Sequence, residues 1–464
     1  MPFLGIDLGT GGIRSVVVDE KGRILDQNQK KLEKINLSMQ EGESEQDPLE
    51  WIDILEDCLD ELFARKSNRS VKAIAVDGTS GTILPVNSLG LPVGKALMHN
   101  DMRSVLEANE CKDIFNGLCS PTFALPKILW MRKYLNLDDD VLFLHSSDFI
   151  YSWLAGTTEI PTDFTNAMKT GVDLNRIEWS EHLSLSGFRL PPVLHPGEVF
   201  GRLHSRLIDR WGLDKNVELV TGATDSNAAF YASGASQSGD WSSTIGTTLA
   251  VKGLSVKQIE DKNGRIYCHK HPDGSWLPGG ASNAGGEIIR EQFSSREEVI
   301  ETNLESSKVK VEGLVYPSTR VGERLPFANP DFRPFNTIKN PNENNFYLAC
   351  SEGIAFTEKM VFELLNDLGA KTSGNLFAMG GTTKSCVGMQ IRADIHQKTI
   401  KVPAHPNSAF GSAILAASGH FGESVSSLSS QMVEIFKEVE PIAGFTGEYC
   451  EKYQQFRELC LQDN

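Results

Sequence analysis

The sequence predicts an α/β protein of two domains, and three observations predict it. The chain has 464 residues, more than one hydrophobic core usually organises, so two domains of about 200 residues each are expected. Short β-branched runs alternate with longer segments of helical periodicity, as mixed α/β construction requires. A strand, a Gly-Thr turn and a second strand open the chain, and the same pattern returns at Trp241. The expected domains are residues 1–232 and 233–464.

The elements follow in order. Phe3-Leu4-Gly5-Ile6-Asp7 and Ile13–Val18 flank the turn Gly9-Thr10-Gly11-Gly12, and Arg23–Gln27 follows Glu20-Lys21-Gly22. Together they read as a three-stranded meander. From Pro48 to Ala64 the apolar residues recur at helical spacing, with Asp47 as N-cap and Pro48 at the first helical position. Val71–Val76 reads as a strand that runs into the polar segment Asp77-Gly78-Thr79-Ser80-Gly81. Helical spacing returns over Val105–Phe115, Leu125–Tyr134 and Phe149–Leu154. Val217–Val220 is a strand, Gly222-Ala223-Thr224-Asp225 a turn, and Ser226–Ser233 a helix of small residues.

The second half opens with strands Trp241–Ile245 and Leu249–Leu254 around Gly246-Thr247-Thr248. A long helix over Asn344–Leu368 precedes strand Asn375–Met379 and the turn Gly380-Gly381-Thr382-Thr383-Lys384. Helices over Val387–Asp394, Ser408–Ser418 and Val425–Glu438 follow. Asn263–Gly274 and Arg320–Asn345 read as loops. The amphipathic segment Tyr449–Cys460 reads as a packing or dimer helix, which leaves a homodimer open.

Composition narrows the function. Lys and Arg number 45 against 61 Asp and Glu, a net charge of −16. That balance speaks against nucleic-acid binding and against an anionic membrane surface. No apolar run approaches the length of a transmembrane helix, and Asp7 interrupts any signal-peptide core. The 8 cysteines are scattered without a C-x-x-C pair and read as free thiols of a reducing compartment, so a cytoplasmic protein is expected.

The glycine turns suggest phosphate chemistry. A Gly-Thr hairpin turn offers backbone N–H groups and one hydroxyl to an anion. Two such turns, at Gly9-Thr10 and Gly246-Thr247, could grip one polyphosphate. The competing nucleotide signatures are missing. Gly90 to Gly94-Lys95 is one residue short of a P-loop, and no G-x-G-x-x-G opens a helix after the first strand. Asp7 closes an apolar strand beside the first turn, where a carboxylate can position Mg²⁺ against phosphate or simply cap the turn. Asp225 begins a helix at a strand end, where it can serve as a general base or as an ordinary N-cap.

These residues carry a resemblance. Gly5-Ile6-Asp7-Leu8-Gly9-Thr10 with Arg14, Gln46-Asp47-Pro48 with Trp51, Gly222-Ala223-Thr224-Asp225, Gly246-Thr247-Thr248 and Gly380-Gly381 stand in the order of the FGGY carbohydrate kinases. The resemblance runs from Phe3 to Gly419. It implies two ribonuclease-H-like domains of the actin-like ATPase type, with sugar and ATP bound in a cleft between them. It also implies that Asp225 is the catalytic base and that Asp7 lies near the transferred phosphate and Mg²⁺. Gly9, Thr10, Gly11, Arg14, Gly246, Thr247, Gly380, Gly381 and Lys384 are then the expected ATP-binding residues.

The segment Asp77–Thr82 resembles D-ribulose kinases related to xylulose kinases, which adds Thr79 and Ser80 as sugar contacts. Asn100 and Asp101 stand where the family commonly has Trp-x-Asp-x-Arg, with His99 in place of the aromatic. Asp163 and Asn166 match a further segment near the sugar. The expected reaction is ATP-dependent phosphorylation of D-ribulose. D-xylulose, L-ribulose or a pentitol is the alternative substrate, and a sugar-sensing ATP-binding protein the alternative of another class.

Overall fold

In the computed structural model, all residues are described except 34–39, 116, 118, 185–187, 294–296, 306–310, 340–341, 443–445 and 463–464. The chain forms two compact units. The first comprises Met1–Ala232 and His405–Met432, the second Ser233–Ala404 and Val433–Asn464.

The first unit is built on a six-stranded sheet in the order Val199–Arg202, Glu218–Val220, Ala73–Gly78, Phe3–Gly9, Gly12–Val18, Ile24–Lys31. The three strands at the N-terminus form the expected antiparallel meander, with Gly9 facing Gly12 across its first turn. Phe3–Gly9, Ala73–Gly78 and Glu218–Val220 run parallel. Helix Pro48–Ala64 starts where expected, with the Asp47 carboxylate accepting from Leu49 N. Its Trp51, Leu55, Leu59, Leu62 and Phe63 are buried against the sheet.

The contiguous division at residue 232 needs one correction. Helix Ser408–Phe421 returns to the first unit and packs along Phe3–Gly9. Gly5 lies so close to it that a Cβ there would stand 1.8 Å from the Ala409 carbonyl oxygen. Only glycine permits this contact between strand and helix.

The second unit repeats the plan in seven strands: Tyr267–Lys270, Trp276–Ser282, Leu249–Gly253, Trp241–Ile245, Leu376–Met379, Ile400–Pro403, Ile435–Val439. The central trio Trp241–Ile245, Leu376–Met379 and Ile400–Pro403 is parallel. Behind it, helix Glu343–Asp367 is tied to helix Cys386–His396 by a buried cluster. Arg392 donates to both oxygens of Glu358, at 2.9 and 2.7 Å, and His396 Nε2 lies 3.0 Å from Glu358 Oε2. The paired charges hold the Glu358 carboxyl well below the usual range despite its burial.

Two other expectations are corrected. Val425–Glu438 is not one helix: the helix ends at Met432, and Ile435–Val439 pairs antiparallel with Ile400–Pro403. The alternating burial of Ile435, Lys437 and Val439 has the two-residue period of a strand. Tyr267–Lys270, inside the expected loop Asn263–Gly274, pairs with Trp276–Ser282 as a hairpin. Most of Arg320–Asn345 is irregular up to the helix start at Glu343, with 340–341 outside the described residues. Helix Thr446–Leu461 packs into the second unit's core through Tyr453, Phe456 and Cys460. Among the described residues no helix is long and apolar enough to cross a membrane.

Candidate active site

The carboxyl ends of the three parallel strands in the first unit bring the acidic residues together. Ligands of parallel α/β sheets bind at such strand ends. Asp7 is in register with Asp77 on the neighbouring strand, and Gly78 bridges to Thr224, the residue before Asp225. Asp77 is fully buried rather than part of a flexible polar turn. Burial, with the nearby charges of Asp7 and Asp225, pushes its carboxyl well above the usual range. Ser412, on the returning helix, donates to Asp77 Oδ2 at 2.6 Å. Asp7 is also raised by burial, against the opposing pull of Asp77 and Arg14, whose Nη1 stands 3.6 Å from Asp7 Oδ2.

The Asp225 turn is held by neighbours on all sides. A Cβ on Gly222 would lie 1.7 Å from the Val76 carbonyl oxygen, so the turn is packed directly on the central strand. Thr224 N donates to Thr165 Oγ1 at 2.8 Å. Thr165 in turn donates to the buried Asp163, which also accepts from Asn166 Nδ2 at 2.7 Å. Asp163 and Asn166 therefore brace the turn from behind rather than face a ligand. Asp225 is the first residue of helix Asp225–Tyr231, and its Oδ1 accepts from Ser226 N at 2.7 Å. The N-cap position belongs to Thr224, so the plain-cap reading of Asp225 is set aside.

The Gly9–Gly12 turn is equally braced. Trp51 Nε1 donates to Gln46 Oε1 at 2.9 Å, and Gln46 Nε2 donates to the Thr10 carbonyl at 2.8 Å. This explains the joint presence of Gln46 and Trp51 with the first turn. Gly11 is exposed, and a Cβ there would meet no atom within 4 Å.

The other expected sugar residues divide. Ser80 is half-buried at the turn, while the Thr79 hydroxyl is buried and paired with Thr82 Oγ1 at 2.6 Å. Asn100 is exposed. Asp101 as a direct sugar contact is corrected: it is 0% exposed and saturated. It accepts from Arg103 Nε at 3.0 Å, Arg103 Nη2 at 2.8 Å and Ser44 N at 2.7 Å. Arg103 also stacks over Trp130, 5.0 Å from the ring centroid. The pair fastens a loop.

Two lysines that the sequence did not single out lie beside these segments. Lys127 is fully buried, and its ammonium donates to the carbonyls of Gly81, Met98 and Thr122 at 2.9, 2.6 and 3.0 Å. Burial pushes it down to about 7. Lys169 donates to the Ser80 carbonyl at 3.1 Å. Lys127 lies within helix Ala124–Tyr134 and Lys169 just beyond Phe164–Ala167; their acceptors are backbone carbonyls, which no residue pattern reveals, so neither could have been found from the sequence.

In the second unit the two glycine turns meet. Gly380 has φ +89°, and a Cβ on it would stand 2.5 Å from the Ile245 carbonyl oxygen. Thr382 Oγ1 donates to the same carbonyl at 3.3 Å, so this side chain is turned onto the end of the neighbouring strand Trp241–Ile245. Gly246 and Gly381 face open space. Arg290 Nη1 approaches Thr247 Oγ1 at 3.3 Å. Gly285-Gly286, unnoticed in the sequence, backs the turn: Gly286 N donates to the Gly246 carbonyl at 2.9 Å. Beside Thr382 a small recess is lined by Ile289, Tyr347, Ile354, Ser385 and Gly388. Lys384 is exposed.

Residues 2–231 match the N-terminal domain of the FGGY family of carbohydrate kinases, and residues 241–420 match its C-terminal domain. A xylulose kinase of Staphylococcus epidermidis is 26% identical over 98% of this chain and 94% of its own length. A gluconokinase of Bacillus subtilis is 25% identical over 89% of this chain and 86% of its own length. The crystal structure of a xylulose kinase from Rhodospirillum rubrum superposes with a TM-score of 0.84 at 21% identity, covering 99% of this chain and 98% of that one. The two family models together cover most of the chain, which therefore belongs to the FGGY family of carbohydrate kinases.

Proposed function

We propose that the chain transfers the γ-phosphoryl group of ATP to the terminal hydroxyl of a ketopentose, converting D-ribulose to D-ribulose 5-phosphate. The observation that carries the reading is the row of carboxylates at three neighbouring strand ends, with Asp225 following Thr224, which bridges to Gly78 at the start of the Ser80 segment. Asp225 takes the proton of the 5-hydroxyl while that oxygen forms its bond to the γ-phosphorus, and the bond to the β,γ-bridging oxygen breaks to release ADP. Such transfer depends mainly on positioning and charge neutralisation, with the base supplying part of the rate.

Among the described residues no group of three or more His, Cys, Asp or Glu side chains is arranged to hold a metal ion. Asp7, a single half-buried carboxylate, fits a Mg²⁺ that arrives on nucleotide phosphates and keeps most of its waters. Mg²⁺ would neutralise phosphate charge there. The Thr10 turn with Arg14 supplies N–H and cationic donors on the first unit. On the second, Gly246-Thr247 and Gly380-Gly381 supply the glycine turns for the nucleotide.

D-xylulose is the second reading, favoured by the xylulose kinases among the relatives. ADP release measured across D-ribulose, D-xylulose, L-ribulose, ribitol and gluconate, with Mg²⁺, separates these. Highest kcat/KM with D-ribulose supports the first reading. Equal rates across the panel, or a preference for another member, refutes it.

A further inference from the structure

Lys169 sits two residues beyond the short helix Phe164–Ala167, next to the turn that carries Ser80. It is half-buried. Besides its bond to the Ser80 carbonyl, its Cδ lies 3.1 Å from where a Gly81 Cβ would stand, and its ammonium is 5.8 Å from the Phe123 ring centroid. Its own carbonyl accepts from Leu125 N at 3.1 Å, which fixes the backbone from which the side chain projects. Burial lowers the ammonium from its ordinary value, and the Asp225 carboxylate pulls the other way.

The two lysines differ in what they leave free. Lys127 spends all three N–H donors on carbonyls and is sealed from solvent. Lys169 spends one among the described residues and stays partly open. An ammonium has three donors and no acceptor, so two remain for an oxygen ligand. A partly desolvated cation donates strongly to a neutral hydroxyl or carbonyl oxygen. The methylenes are packed, which pre-organises the head group.

We propose that Lys169 is a sugar-binding residue, whose two remaining N–H donors take oxygens of the polyol held between the Ser80 turn and Asp225. This rests on the reading of Asp225 and Ser80 given under Proposed function. A cation there also favours the ionised form of Asp225, the state a base needs. The competing view is that Lys169 only staples the turn, in which case its loss would loosen the fold and leave sugar recognition in proportion.

Lys169→Met keeps the packed stem and removes the donors, and Lys169→Arg keeps a cation. Kinetics are measured on the full chain with varied D-ribulose and varied ATP. Sugar-induced thermal shifts are measured with D-ribulose and no ATP. Lys169→Met is expected to raise the sugar KM about 10–100-fold, with the ATP KM within about twofold. The D-ribulose thermal shift is lost in Lys169→Met and kept in Lys169→Arg, with the ligand-free Tm of both near wild type. A sugar KM within about twofold of wild type overturns the proposal, as does an equal rise in both KM values. So does a lowered ligand-free Tm with the sugar shift intact. If the wild type prefers D-xylulose or gluconate, the substrate reading fails by itself, and Lys169 is judged by the same measurements on that sugar. If the wild type phosphorylates no sugar of the panel, both readings fall.

Discussion

Replacing Asp225 tests the proposed chemistry most directly. The residue is half-buried on the first turn of a helix, and its Oδ1 accepts from Ser226 N. Asn keeps that acceptor and the shape but presents an amide to the sugar, whereas Ala removes both. Neither change opens a core cavity, so the ligand-free Tm should fall by little: losing one exposed-side hydrogen bond costs about 1 kcal/mol. The barrier should respond more strongly. A positioned base contributes about 10²–10⁴ in rate, equal to about 3–5 kcal/mol. Asp225→Asn and Asp225→Ala should therefore lose kcat by that factor while the ATP KM stays near wild type. The assay is ADP release under saturating ATP, D-ribulose and Mg²⁺, with Tm measured in parallel. Turnover within about tenfold of wild type in either variant would remove Asp225 as the base. A collapse of Tm alongside the lost rate would instead make the residue a structural one.

Other expectations concern the surrounding frame. Gly222→Ala drives a Cβ into the Val76 carbonyl, which should cost about 3 kcal/mol in urea unfolding and displace Asp225; an unchanged midpoint would refute the tight turn. Lys127→Met leaves three carbonyls without their donor, partly offset by no longer burying a charge. A net loss of about 2 kcal/mol and a raised sugar KM are expected, and wild-type values for both would show the three bonds to be idle. Burial lowers His145 and His271 to about 4 from 6.5. Over that window the unfolded chain binds more protons than the native one, so stability falls as pH drops from about 6.5 to 4. Each histidine accounts for about 3 kcal/mol of that fall, and His145→Gln should flatten the measured slope of unfolding free energy against pH.

Much of the frame was legible because local patterns dominate there. The Gly-Thr meander, the Asp47-Pro48 helix start and the strand–turn–helix around Gly222–Asp225 each follow from residues adjacent in sequence. What escaped depends on distant partners. Nothing local to Ser408–Phe421 says which sheet it covers, since an apolar helix fits either core. Asp101 reads as a polar contact until Arg103 and Ser44 N saturate it. Asp77 reads as a turn residue until Ser412, 335 positions away, donates to it. Lys127 and Lys169 look like surface lysines because their acceptors are backbone carbonyls of other segments, which leave no trace in composition. Val425–Glu438 misled for another reason: the two-residue alternation over the five residues Ile435–Val439 was masked by the helical run before it.

The helix that lies on Gly5 has a consequence for how the protein is made. The ribosome delivers Met1–Ala232 long before it delivers Ser408–Phe421, so the first strands emerge with one side bare. Until Ser408–Phe421 has been made, that strand surface must wait for its cover. A chain cut after Ala232 would keep every acid of the strand ends yet lack both Ser412 and the helix that covers Gly5.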